Sequence, residues 1–372
     1  MQLPEFKLER FFAEHEFNVS HLLCASDCEA ISVESLLALE PEARQGLDEL
    51  WLGYTESTGH PDLRAAIAGM YETIEASEVL VHTGAEEAIL TFMNGLFEPG
   101  DHIIVHTPCY QSLMEIPVAI GCEVSPWQGR EDFAWAPSLD ELEGIIKPAT
   151  RAVVVNLPHN PTGYLAPHAL FDRLIEICRE HGLILFCDEV YRGLEYDPAD
   201  RLPAACDAYK NAVSLGVMSK SFGLAGLRLG WVASHNREIL AAMANYKDYT
   251  TICNSAPSEY LAAIAIRHRD AVVGRNLDII RGNLALLDDF FERFSNQLTW
   301  VRPKAGSIAF PRTAADSNGG TKLFGDLLEK KGLLIAPGGN FGHDDNNFRI
   351  GFGRATMAEA LGVFSDYLEG VS

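Results

Sequence analysis

The sequence is short of positive charge. It has 29 Lys and Arg against 52 Asp and Glu, a formal net charge of −23, and no Lys/Arg-rich run. A nucleic-acid partner is not expected, because a phosphate backbone is met by a basic face. No apolar run is long enough to span a bilayer, and the opening ten residues lack the apolar centre of a secretory signal. The expectation is therefore no membrane partner and a cytoplasmic location. The eight cysteines give neither a disulfide framework nor zinc spacing. Cys24 and Cys28 have no second Cys/His pair nearby, and Cys178, Cys187 and Cys253 lie in apolar helix or strand patterns, as small buried thiols do. No metal is expected. Internal repeats and low-complexity segments are missing too. What remains is ordinary globular composition, 47% hydrophobic, on a chain long enough for one large and one smaller domain.

One lysine stands out. The apolar run Val213 to Met218 reads as a buried strand that ends at Ser219-Lys220, and a second apolar stretch begins after Arg228. A lone lysine at a strand end is ordinarily a surface residue. Here Lys220 sits between two apolar segments, where burial favours the neutral amine, the condition for bonding a carbonyl carbon. Ser219 supplies a hydroxyl and Arg228 a guanidinium, a pair suited to a phosphate monoester, and Gly223, Gly226 and Gly230 allow close backbone approach.

Other strand ends carry candidates of the same kind. Glu78 to Leu90 reads as a strand, a tight turn at Gly84 and a helix, and the N–H groups of Ala85 and Glu86 that open the helix can attract phosphate. The Glu86 carboxylate is expected to point away from such an anion. His102 to Thr107 is a second strand, ending in a proline turn and Tyr110. A β-branched strand through Val153, Val154 and Val155 leads into a loop that ends in Asn160-Pro-Thr-Gly163, where two prolines fix the chain and aim Asn160. Asp188 closes the apolar run from Leu183, at the sheet edge where α/β proteins bind ligands; a helix N-cap is the plain alternative. Tyr191 lies three residues on. Arg349, in Phe348-Arg-Ile-Gly-Phe352, is isolated on an apolar strand and is either an edge residue facing solvent or a clamp for a carboxylate.

Together, Ser219-Lys220-(x)7-Arg228, Asn160-Pro-Thr-Gly163, Asp188-Glu-Val-Tyr191 and Tyr54-(x)4-Gly59-(x)3-Leu63-Arg64 resemble the class I/II aminotransferases, the fold-type I family that uses pyridoxal phosphate. The resemblance covers nearly the full chain. It implies an α/β fold with a mostly parallel seven-stranded large domain and a small α+β domain. We expect an N-terminal arm over 1–45 that joins the small domain and, as the resemblance implies, lines the substrate pocket, a large cofactor domain over 46–275 and the rest of the small domain over 276–372. In that family the lysine bonds the cofactor and works as general base, the Ser and Arg hold its phosphate, and the Tyr at position 54 reaches the phosphate of the neighbouring subunit. The Asn, and Tyr191 beside it, bind the phenolic oxygen. Arg349 takes the substrate α-carboxylate, with Asn160 next to it. A carboxylate such as Asp188 keeps the pyridine nitrogen protonated, and a ring such as Tyr110 can stack on the pyridine.

The implied activity is transfer of an amino group from an amino acid to a 2-oxo acid by a homodimer with shared sites. Two alternatives stay open. The same residues can run elimination or replacement chemistry, and the opening from Leu3 to Phe12, with Asn156-Leu-Pro-His-Asn-Pro161, resembles a subgroup that includes capreomycidine synthase. A non-catalytic cofactor-binding regulator is the other, though the chain lacks a basic DNA-binding segment.

Overall fold

The computed structural model describes residues 2–314 and 319–371. A helix over Lys7–His15 opens the chain, and β1 (His21–Leu22) follows it. The central sheet is built from β2 (Val79–His82), β3 (His102–Thr107), β4 (Glu123–Gln128), β5 (Thr150–Asn156), β6 (Ile184–Asp188), β7 (Ala212–Val217) and β8 (Gly230–Ala233). Their spatial order is β2-β8-β7-β6-β5-β3-β4. Only β8 runs against its neighbours; the other pairings are parallel. The architecture is thus α/β with a mostly parallel seven-stranded sheet.

The strands form where the sequence is rich in Val, Ile and Leu without polar alternation, the pattern of a sheet covered on both faces. Every residue of β7 is buried, as are all of β2 and β8. Burying each Val, Leu or Ile side chain contributes roughly 1.5–3 kcal/mol, so these short strands hold the sheet centre firmly. Helices over Gly84–Leu96, His168–Glu180 and Arg237–Lys247 pack on the sheet with their apolar faces.

The long helix over Arg269–Arg293 leads to the remaining strands. These are β9 (Leu298–Thr299), β10 (Ile308–Ala309), β11 (Arg312–Thr313), β12 (Leu333–Leu334), β13 (Ala336–Pro337) and β14 (Phe348–Gly351). They are shorter than the apolar runs suggest, because each pairs over only a few residues. β1 pairs in parallel with β12, so the N-terminal segment is tied to the C-terminal part of the chain. β14 lies between β10 and β13. A division into 1–45, 46–275 and 276–372 is our proposal for how these layers group.

One expectation about the fold needs correction. Cys253 lies in neither a helix nor a strand but in the turn between the helices ending at Lys247 and beginning at Ala256, and it is only partly buried.

Candidate active site

The parallel strands deliver their last residues to one edge. β5 ends at Asn156 and β6 at Asp188, paired in register. β7 ends at Val217, two residues before Ser219. At the sheet's far side β2 runs into Gly84, whose φ of +83° makes the turn that starts the helix. The result is a cleft of about 370 Å³, closed by the N-terminal helix and by Arg349 from β14. Lys220, Asp188, Tyr191, Asn160, Tyr110, Ser219, Arg228, Ala85, Glu86 and Arg349 all line it. Tyr54 does not: it is 86% exposed, away from the cleft of its own chain.

Lys220 donates from Nζ to Ser26 Oγ at 2.7 Å. Burial lowers its pKa, Arg349 adds to this, and Asp27, Asp188 and Glu9 oppose it. Asp188 is buried, and its Oδ1 accepts the Val190 N–H at 3.1 Å. No helix follows it, so the N-cap alternative fails; the contact is a tight turn two residues on. Tyr191 is buried with its hydroxyl unpartnered, beside the Ser26 hydroxyl that accepts from Lys220.

Arg349 is 1% exposed, which rules out an edge residue facing solvent. Nη1 donates to Asn160 Oδ1 at 3.1 Å and Nη2 to the Cys24 carbonyl at 2.9 Å, while Nε has no partner. The guanidinium lies over Phe341 at 4.9 Å and Phe12 at 5.9 Å. It has no carboxylate partner among the described residues, so its charge is free for an anion.

Arg228 adopts a left-handed φ of 46° and leans on Gly84, where a Cβ would come within 2.9 Å of Nη2. Ser219, Arg228 and the first N–H groups of the helix at Gly84 therefore converge on one corner. Glu86 departs from expectation. Its carboxyl stays in the cleft, accepts from Ser112 Oγ at 3.1 Å, and is pushed up to about 7, chiefly by burial.

Burial pushes Asp188 up to about 7 as well, with the Val190 N–H and Lys220 pulling the other way. A carboxyl raised by folding keeps its proton in the folded state. Its contribution to stability is present below the ordinary value of 3.8 and is lost as pH rises through about 7. In cofactor-free protein, wild type should thus lose melting temperature relative to Asp188→Asn between these two limits. Parallel melts at pH 4 and pH 8 check this, and an unchanged difference would contradict the burial argument.

The resemblance implies an N-terminal arm that lines the substrate pocket, but sequence reasoning named none of its residues as site residues. Glu9, Phe12 and Glu16 face the cleft, at the three- and four-residue spacing that puts side chains on one helical face, and that spacing was the available signal. Ser26, Asp27 and Arg354 also line it, and nothing in the loop's composition marks them. Arg354 holds both oxygens of Asp27 at 2.9 Å.

This arrangement suits pyridoxal phosphate on structural grounds: a phosphate corner, an enclosed lysine, a buried carboxyl and an orphan tyrosine hydroxyl. The comparisons agree. The family model "Aminotransferase class I and II" matches residues 22–363. The chain belongs to that family and is a pyridoxal-phosphate-dependent enzyme of the transferase class. Capreomycidine synthase of Streptomyces vinaceus is 31% identical over 372 residues, covering 97% of this chain and 95% of that protein. The solved structure of a PLP-dependent aminotransferase from Streptococcus suis superposes with a TM-score of 0.94 at 30% identity, covering 100% of this chain and 99% of the other. That of the PLP-dependent cyclase OrfR gives 0.91 at 29%, with the same coverage.

Proposed function

We propose that this protein transfers an amino group from an L-amino acid to a 2-oxo acid. The observation that carries the reading is Arg349, buried and without a carboxylate partner among the described residues, its Nε open. Donor and acceptor share one group, the α-carboxylate, and one fixed guanidinium serves both. Asn160, bonded to the same guanidinium, fixes its orientation.

Bound pyridoxal phosphate supplies an electron sink for the pair of electrons left when a substrate Cα loses its proton. The chain's residues do the rest. Lys220 would bond the cofactor at rest and then move the proton at Cα, a task suited to an amine whose pKa burial has lowered. Asp188 would meet the ring nitrogen, Asn160 and Tyr191 would hold the phenolic oxygen, Tyr110 would cover the ring, and Ser219, Arg228 and the N–H groups of Gly84, Ala85 and Glu86 would hold the phosphate.

The rest of the cleft favours a donor with a cationic side chain. Glu9 and Glu16 face it, and neither is paired with Lys or Arg within 4.0 Å among the contacts of the described residues. Burial raises the Glu16 carboxyl, against the pull of Arg354. A dicarboxylate has no free second arginine, because Arg354 is spent on Asp27. Glu16→Gln should raise KM for lysine-, ornithine- or arginine-like donors at least about tenfold and leave neutral donors within twofold. Steady-state kinetics on both classes measure it; equal effects would remove Glu16 from substrate recognition.

The proposal includes a homodimer in the cytoplasm with shared sites. Trp51, Leu52 and Tyr54 are 76–86% exposed, next to a loop that carries exposed Tyr249 and Ile252; Thr55 Oγ1 donates to the Asn254 carbonyl and joins the two segments. Such an apolar patch suits an interface, and Tyr54 would reach the partner's phosphate corner. Mixing impaired Tyr54→Phe and Lys220→Ala subunits should restore partial activity, since a hybrid dimer has one intact site. No recovery on mixing and re-association would count against sharing.

A second reading is ring closure by elimination or replacement, supported by the likeness to capreomycidine synthase. The two differ in stoichiometry. Transfer consumes a 2-oxo acid for every amino acid, and a cyclase turns over with the amino acid alone. Supplying cationic amino acids with and without pyruvate, and weighing the products by mass spectrometry, decides between them. Multiple turnovers without pyruvate would overturn the transfer reading.

A further inference from the structure

A second cavity, of about 310 Å³, lies back to back with the cleft. Alternation along the chain separates them: Asp188 and Lys220 line the cleft, and their neighbours Glu189 and Ser221 line the cavity. Only Val190 and Val217 line both. Its volume is at the lower end of ligand pockets, roughly 300–1,000 Å³. Trp231 and Phe222 line it together with Val273 and Leu277 of the long helix, and charged side chains interrupt this apolar wall.

One polar atom beside the cavity has no hydrogen-bond partner among the described residues. Glu189 is 6% exposed, and its Oε1 accepts the Ala205 N–H at 2.8 Å and the Ser214 hydroxyl at 2.7 Å. Its Oε2 accepts nothing. Arg192 Nη1 stands 3.7 Å away, beyond hydrogen-bond reach, and donates to the Leu202 carbonyl at 2.8 Å instead. A buried acceptor left open in this way costs about 1–3 kcal/mol unless something donates to it. Burial raises the Glu189 carboxyl, while the Arg192 guanidinium, the Ala205 N–H and the Ser214 hydroxyl pull the other way; the group that would satisfy Oε2 as an acceptor is an N–H or O–H.

The charges around the cavity already balance. Arg192 faces Glu189, Arg201 holds Glu195 at 2.8 Å, and Arg269 lies 3.8 Å from Asp270. A charged ligand would leave one of these unmatched. We propose that the cavity is a second small-molecule site, distinct from the cofactor cleft, for a neutral, flat heteroaromatic compound that carries an N–H donor. The ring fills the space between Trp231 and the long helix, and the N–H meets Glu189 Oε2.

Gly274 gives a clean way to close the site. It lies on the long helix and lines the cavity, and a Cβ there would meet nothing within 4 Å. Gly274→Leu fills the space and also favours the helix, so folding is retained. Indole and its N–H-lacking analogue indene are the probes, titrated into the holoenzyme by ligand-observed NMR. Indole should bind with a Kd on the order of 0.1 mM, typical of an efficient fragment of that size, and indene at least about tenfold more weakly. In Gly274→Leu the indole affinity should fall at least about tenfold with turnover of amino acid unchanged. No saturable indole binding below about 5 mM, equal binding of indene, or full indole binding to Gly274→Leu would each overturn the proposal.

Discussion

Lys220→Ala is expected to retain the fold and lose at least about three orders of magnitude in turnover, because one change removes both the covalent anchor and the proton-moving group. The structure gives this residue a second occupation that must be separated from the first. Its Nζ donates to Ser26 in the loop at 24–30, so part of any loss can come from a loosened loop. Melting curves report the loop; they should shift by only a few degrees, the effect of about 1 kcal/mol on a chain of this size. Added methylamine reports the chemistry. It fits the space vacated by the side chain and should restore activity at least about tenfold, with a pH dependence that follows the free base. Borohydride reduction of wild type followed by peptide mapping should place the pyridoxyl group on Lys220. Activity within tenfold of wild type, or label on another lysine, would remove Lys220 from its role.

The parts of this molecule that were legible from sequence are those with a local cause. β7, β6 and β5 are continuous apolar runs, and each ends where a polar residue would otherwise be buried, so the positions of Lys220, Asp188 and Asn160 at one sheet edge follow from the pattern itself. The turn at Gly84 is equally local, because a positive φ there needs no knowledge of the rest. Arg349 shows the limit. Its strand was visible, but both readings of the side chain fitted the sequence, and burial was decided by β10, β13 and the N-terminal helix closing over it. Glu86 was misjudged for the same reason: its direction is set by Ser112, 26 residues away. Glu9 and Glu16 share a face by local spacing, but Asp27 meets Arg354 only because the end of β14 and the segment after it bond the loop at 23–29, Gly351 N–H to the Leu23 carbonyl and Glu29 N–H to the Gly353 carbonyl, and no local signal encodes that contact. The second cavity is likewise a product of packing, since Glu189 reads in the sequence as nothing more than the neighbour of Asp188.

Asp188→Asn is expected to bind the cofactor and slow removal of the substrate α-proton by at least about two orders of magnitude, roughly 2.7 kcal/mol at the transition state. Burial holds the Asp188 carboxyl near 7 in the cofactor-free protein, so a cation placed against it would draw off its proton and form a close pair in a site without water to screen it. In the proposed function the pyridine nitrogen is the group that would stand there, and a protonated ring accepts electrons far better than a neutral one. Asn keeps the shape and keeps the turn, since its side-chain oxygen accepts the Val190 N–H as Asp188 Oδ1 does at 3.1 Å. Only the charge is lost. A merely structural Asp188 therefore predicts an Asn variant with wild-type rates, and an electrostatic one predicts a slow proton step with normal substrate affinity. Single-turnover rates with an α-deuterated amino acid isolate that step, and the isotope effect should rise as proton removal becomes limiting. If the Asn variant matches wild type in both rate and isotope effect, the carboxylate does not set the ring's charge here.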